Sequence, residues 1–243
     1  MRIQKLLILL FSLSTLSGYE YGIFAGPHFN YVNLDFNNPS DLDGYAGGVT
    51  TGLWLDTCYG SSKLTFEGTW NACRIVGDPC QTSSTSEYFL QLEFTRGFYY
   101  RCVCIKPYVG FGWDRFENVQ EPRTAALKYQ YDKLFVPLGV YFKWDSCCDA
   151  YQLQFEFRPD VWSNLDLLGI DLDPDWGYGL RCQFIYTRPI QTCFGCFYFS
   201  WIPFFDWNQF GKITETNTSG GVLEFPDLTR WELGLRAVLD YKF

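Results

Sequence analysis

One histidine and one methionine stand among 243 residues, and no stretch after residue 18 approaches the roughly 20 consecutive apolar residues that a membrane helix needs. The first scarcity leaves His28 as the sole imidazole for acid–base or metal chemistry. The second excludes helical membrane insertion. Positive charge is also short, with 19 Lys and Arg against 27 Asp and Glu and a net charge of −8. Nucleic-acid binding wants a basic face, so no such partner is expected.

What is abundant is apolar and aromatic. Hydrophobic residues make up 47% of the chain, enough for a core or a membrane surface and too much for wholesale disorder. Phe, Tyr and Trp reach 20% and outnumber Leu plus Ile, which favours strands over helices. Residues 1–18, MRIQKLLILLFSLSTLSG, set Arg2 and Lys5 ahead of an apolar run and then small residues, the pattern of a cleaved secretory signal. Loss of those two cations takes the net charge of −8 down by two, to −10. Residues 19–243 are expected to form a single domain.

Alternation is the strongest signal, and it recurs in segments of about ten residues. Residues 63–72 carry Leu64, Phe66, Gly68 and Trp70 on one face and Lys63, Thr65, Glu67, Thr69 and Asn71 on the other. The same rhythm runs through 87–95, 150–158 and 230–243, and more weakly through 21–33, 45–56, 104–115, 134–144, 178–188 and 196–207. Ten strands, with eight or twelve as alternatives, joined by alternately short and long connections, predict an all-β, transmembrane, antiparallel up-and-down barrel. A soluble barrel also alternates. Yet Tyr21, Tyr31, Trp113, Trp144, Tyr151, Trp207, Trp231 and Tyr241 gather near strand ends on the apolar face, as interfacial girdles do, whereas a closed core favours Val, Ile and Leu. A charge on the lipid face costs about 2–4 kcal/mol at the midplane and little near the interface, and Arg96 and Arg115 are both expected at strand ends.

KPYVGFGWD (106–114) followed by FVPLGVYFKW (135–144) resembles the paired strands of small outer-membrane protein A-type barrels. Leu239, Tyr241 and Phe243 resemble the sorting signal read by the outer-membrane assembly machinery. The resemblance implies an integral protein of a bacterial outer membrane, with membrane lipids and that machinery as partners. The cysteine content resembles that of cysteine-rich, disulfide-linked envelope proteins of chlamydia-like bacteria, which implies disulfide links to other envelope proteins.

On the ten-strand map Cys58, Cys102, Cys104, Cys147, Cys148, Cys193 and Cys196 fall in or beside short turns at the periplasmic rim. Cys73 and Cys80 share one long surface loop, and Cys182 lies within a strand. An oxidising compartment makes disulfides the default, either within the chain or to neighbours. The CxC, CC and CxxC pairs lack zinc-finger spacing, and no thioredoxin-like pattern surrounds Cys193 and Cys196, so neither metal nor redox catalysis is expected.

The inward face is predicted to hold Glu67, Glu93, Glu156 and Glu232 with Lys143, Arg158, Arg181, Arg230 and Arg236, which pair most simply into a polar plug. His28 falls deep on the same face and is expected to act as a hydrogen-bonding group. Omptin-type proteases use a His at the outer rim, and the short strands predicted here leave little barrel above the membrane. Acidic segments 34–44 and 171–176 lack EF-hand spacing and read as solvated loops. The expected function is structural or surface-interacting, without catalytic residues or cofactors. A small passive pore is the alternative, and a rim enzyme comes last.

Overall fold

A computed structural model describes residues 19–35, 42–57, 59–75, 78–121, 127–146, 149–167, 170–192, 195–216, 222–225 and 228–243. Its strands are β1 (Glu20–Asp35), β2 (Leu42–Thr57), β3 (Gly60–Ile75), β4 (Asp78–Thr95), β5 (Phe98–Tyr100), β6 (Val103–Glu121), β7 (Leu127–Phe135) and β8 (Leu138–Ser146). They continue with β9 (Asp149–Leu167), β10 (Ile170–Leu172), β11 (Tyr178–Thr192), β12 (Gly195–Phe210), β13 (Ile213–Thr216), β14 (Val222–Phe225) and β15 (Leu228–Lys242). The proposed signal, residues 1–18, lies outside the described residues.

Each long strand pairs antiparallel with its neighbours in sequence, in the order β1, β2, β3, β4, β6, β7 with β8, β9, β11, β12, β15. β15 then returns to β1, from Gly22 opposite Lys242 to Asp35 opposite Thr229. The ten-strand wall is therefore closed and has no edge to leave unpaired, the condition for a sheet to stand in lipid. β5 extends β6 at one rim, β10 folds back on β9 at the other, and β13 with β14 forms a separate hairpin. All ten predicted segments are strands of this wall.

The wall is apolar outside and polar inside, the reverse of a soluble barrel. Phe66, Leu90, Phe155, Leu233 and Leu235 are exposed, whereas their sequence neighbours Glu67, Gln91, Glu156, Glu232 and Arg236 are buried. Aromatic rings mark two levels. Tyr31 meets Tyr45 and Trp231 at 5.5 and 5.4 Å, while ten residues away along the same strands Tyr21 stacks on Phe243 at 5.1 Å beside Tyr241. Ten residues rise about 33 Å along a strand, or about 25 Å after a tilt near 40°, the height of a barrel's lipid-facing band.

The strands are longer than that band needs, 16 residues in β1 and 19 in β6 and β9. Their upper ends run past the girdle, and there the alternation inverts. Phe29 and Tyr31 face out and His28 and Asn30 in, but Val32 and Leu34 are buried inside with Asn33 and Asp35 turned outward. β7 does the same, with Lys133 inside and Leu134 exposed, but Tyr129 and Tyr131 inside and Gln130 outside. Above the membrane the outside is water, so the apolar set moves to the interior.

Four expectations are corrected by these lengths. The barrel does project above the membrane. Cys73 and Cys80 lie on β3 and β4, where Cys73 pairs with Ser83 and only residues 76–77 separate the strands. Leu34 and Leu42 leave their supposed acidic loop and are fully buried. Arg115 sits within β6, not at its end. Its guanidinium is bound by Asp132 across the ladder at 2.7 Å and lies over Trp113 at 5.3 Å, which places a neutralised charge beside the girdle. A further break divides the predicted segment 134–144 at residues 136–137, because Pro137 has no N–H for the ladder. Hydrogen bonds from Gly110 N to Pro137 O and from Val136 N to Pro159 O keep the wall continuous there.

Candidate functional site: a layered lumen

The interior has three layers from rim to rim. At the rim formed by connections 58–59, 96–102, 147–148 and 193–194 the lumen opens as a cavity of about 420 Å³. Trp54 donates to Asp240 in its wall, Lys242 pairs with Glu20 at 2.6 Å at its mouth, and Lys143 pairs with Asp145 at 3.6 Å.

The middle layer is a belt of buried charge. Asp206 accepts from Arg158 and, on its other oxygen, from Arg181 at 2.7–2.8 Å. Arg236 donates to Glu67 at 2.9 Å and to Gln183 at 3.0 Å, and Arg181 approaches Glu67 at 3.6 Å. Arg230 reaches Glu87 at 2.5 Å and Glu232 at 3.2 Å, while Arg158 lies 3.5 Å from Glu156. Lys133 donates to Asn208 at 3.0 Å and stands 3.7 and 3.8 Å from Asp114 and Asp160. Aromatic faces fill between the cations, with Arg181 over Phe89 at 4.6 Å and Arg236 over Phe204 at 3.8 Å. Glu93 stands apart, since its hydrogen-bond partners are Gln91 at 3.0 Å and Tyr141 at 2.7 Å, and among the described residues it makes no direct ion pair, with Lys63 opposite it in the ladder.

The third layer, toward the opposite rim, is an apolar core. Val32, Leu34, Leu42, Phe116, Tyr129, Tyr131, Leu165, Leu172, Phe210 and Ile213 pack across the lumen, with Tyr131 edge-on to Phe210 at 4.5 Å. These side chains come from six of the long strands and from the pieces after β9 and β12, so they bridge the barrel from wall to wall.

His28 sits under this core, 2% exposed, with Nδ1 against Thr50 Oγ1 at 3.1 Å and Nε2 against Thr69 Oγ1 at 2.8 Å. Space for the ring comes from Gly48 opposite, where a Cβ would lie 2.5 Å from Nε2 and 2.2 Å from the Gly68 carbonyl. Neither ring nitrogen is left for a substrate.

No protein-family model and no curated protein matches this sequence. Solved structures do match in shape. The outer-membrane protease OmpT of Escherichia coli aligns with a TM-score of 0.50 at 10% identity over 94% of this chain and 98% of its own. The translocator domain of the autotransporter NalP of Neisseria meningitidis aligns at 0.48 and 8% identity over 100% and 95%. The chain has the outer-membrane β-barrel fold.

With its apolar wall and paired girdles, this outer-membrane barrel is an integral protein of that membrane. On the orientation expected from the sequence the cavity faces the periplasm and the apolar core faces the cell surface. Leu239 and Phe243 face outward on the closing strand, and the Phe243 N–H donates to Tyr21 O at 3.0 Å. Cys102, Cys104, Cys182 and Cys196 are free thiols, so none of these four is bonded to another. Cys102 and Cys196 are exposed at the cavity rim, Cys104 is buried there, and Cys182 is half-buried on the wall. Cys58, Cys147, Cys148 and Cys193 lie outside the described residues, as do the side chains of Cys73 and Cys80.

Five belt residues were absent from the sequence-based network: Glu87, Asp114, Lys133, Asp160 and Asp206. Asp114 and Asp206 alternate with Trp113 and Trp207 and were legible from that alone. Lys133 and Asp160 fall just past the predicted strand ends.

Proposed function

We propose that this barrel serves the outer membrane as a plugged structural element that presents its surface hairpins outward and conducts no solute. The observation that carries the reading is the apolar core at the surface end, since water and ions do not cross a dry layer of packed Phe, Tyr and Leu. Beneath it the paired charges form a second barrier. Reconstituted in a planar bilayer under voltage, the protein is expected to show no discrete conductance steps, and reproducible steps of uniform size would overturn the plugged reading.

A passive pore is the second reading, because the lumen is already hollow at the cavity rim. The same recording separates the two. A hydrolytic role finds no support at His28, whose nitrogens are both engaged by threonines. The exposed thiols of Cys102 and Cys196 point to the periplasm, where they suit disulfide links to other envelope proteins. Leu239, Tyr241 and Phe243 suit recognition by the assembly machinery, on the strand that seals the barrel.

A further inference from the structure

The cavity is open to solvent and balanced in charge. Six basic and five acidic side chains line it, so a ligand with a large net charge of either sign gains little there. Several of these groups satisfy one another, as Lys242 does Glu20 and Arg236 does Glu67. Others do not. Lys63, Lys106 and Glu93 all line the cavity and have no ion pair among the described residues.

The β3–β4 wall of the cavity holds a second kind of incompleteness. Thr65 lies directly opposite Gln91 in the ladder, and Lys63 directly opposite Glu93. The Gln91 amide nitrogen donates to Glu93 at 3.0 Å and to Glu156 at 2.6 Å, which fixes the other end of that amide as an acceptor. That acceptor, Gln91 Oε1, has no partner among the described residues although Gln91 is only 2% exposed, and the same holds for Thr65 Oγ1 at 6%. Tyr141 anchors the far oxygen of Glu93 at 2.7 Å. Two buried oxygens without donors, beside a carboxylate that faces Lys63 across the ladder but makes no direct ion pair, make a receptor for N–H groups carrying positive charge. Lys63 beside them and Lys106 nearer the mouth offer the opposite charge.

We propose that the cavity binds a small zwitterion, a free amino acid or a dipeptide, with its ammonium on Gln91 Oε1, Thr65 Oγ1 and Glu93 and its carboxylate on Lys63 and Lys106. A cavity of about 420 Å³ lies within the range of small-molecule sites. The site is on the hollow side of the charge belt, so it stands whether or not the barrel conducts.

The test is calorimetric titration of the full-length barrel in detergent micelles at low salt with L-alanyl-L-alanine, its N-acetyl form and its C-terminal amide. Saturable binding of the free dipeptide is expected, with each blocked form weaker by about tenfold or more, the scale of one lost charge-assisted contact. Glu93→Gln and Lys106→Gln are each expected to weaken the free dipeptide by a similar factor. Heat-modifiable gel migration reports whether each variant is folded, and Lys106, half-exposed near the rim, can be changed without touching the belt. Absence of saturable heat up to about 10 mM, which would mean that water alone fills the site, overturns the proposal. So do equal affinities for the blocked and free forms, or undiminished binding in folded Lys106→Gln. Binding of the amide as tightly as the free dipeptide would show a cation site and remove the zwitterion.

Discussion

Asp206 shows what a single residue does in this lumen. One carboxylate takes the guanidinium groups of Arg158 and Arg181 on its two oxygens, with Arg158 fully buried and Arg181 lining the cavity. A buried ion pair roughly balances its desolvation cost, but removal of one partner leaves the other charge stranded, at about 3–5 kcal/mol. Asp206→Ala is therefore expected to lower stability by about that amount in urea titrations of vesicle-reconstituted protein. The neighbouring change His28→Gln, which retains a donor and an acceptor between Thr50 and Thr69, should cost much less in the same titration. Equal losses for both would mean that the belt is not held by charge.

For a strand, position along the membrane normal sets the cost of a change. Leu235 lies on the exposed face of β15 between Trp231 and Tyr241, close to the middle of the apolar band. Leu235→Arg is expected to destabilise the reconstituted barrel by about 2–4 kcal/mol, whereas Tyr241→Arg at the girdle should cost about 0–1 kcal/mol. Refolding titrations into vesicles measure both, and a midplane arginine tolerated as well as a girdle arginine would sink the lipid-facing assignment. The same strands show how far sequence reaches. Within the band a fixed period of two separates lipid from lumen, so Glu67, Glu156, Arg181, Arg230, Glu232 and Arg236 were all assigned inward from the pattern alone. At Val32 and Leu34, at Tyr129 and Tyr131, and at Leu165 the period persists but its phase reverses. A reading that expects one apolar face takes that reversal for the end of a strand. The apolar core and the long strand ends were lost for this one reason, whereas Lys133 and Asp160 keep the ordinary phase and fall just outside the predicted segments. The cavity was lost for another: Thr65, Gln91 and Glu93 were visible as inward polar residues, but an unsatisfied oxygen is a fact of packing, which no spacing records.

The whole barrel is oriented by its rims. Cys102 and Cys196 lie with the chain's final strand end at the cavity rim, the side that the proposed function assigns to the periplasm, opposite the β13–β14 hairpin. A membrane-impermeant maleimide added to intact cells is expected to leave both thiols unlabelled and to label them once the outer membrane is permeabilised. Labelling in intact cells would invert the barrel, and no labelling in either state would show that partners already occupy these sulfurs. The reversal of polarity along the strands also fixes how deep the molecule sits. Because the outward face turns from Phe29 and Tyr31 to Asn33 and Asp35 within two pleats, the protein carries its own waterline. Sinking by one pleat would drag Asp35 and Asp132 into hydrocarbon, and rising by one would expose Leu134 and Phe29 to water, so a bilayer of different thickness must deform to meet this barrel and cannot make it float higher or lower.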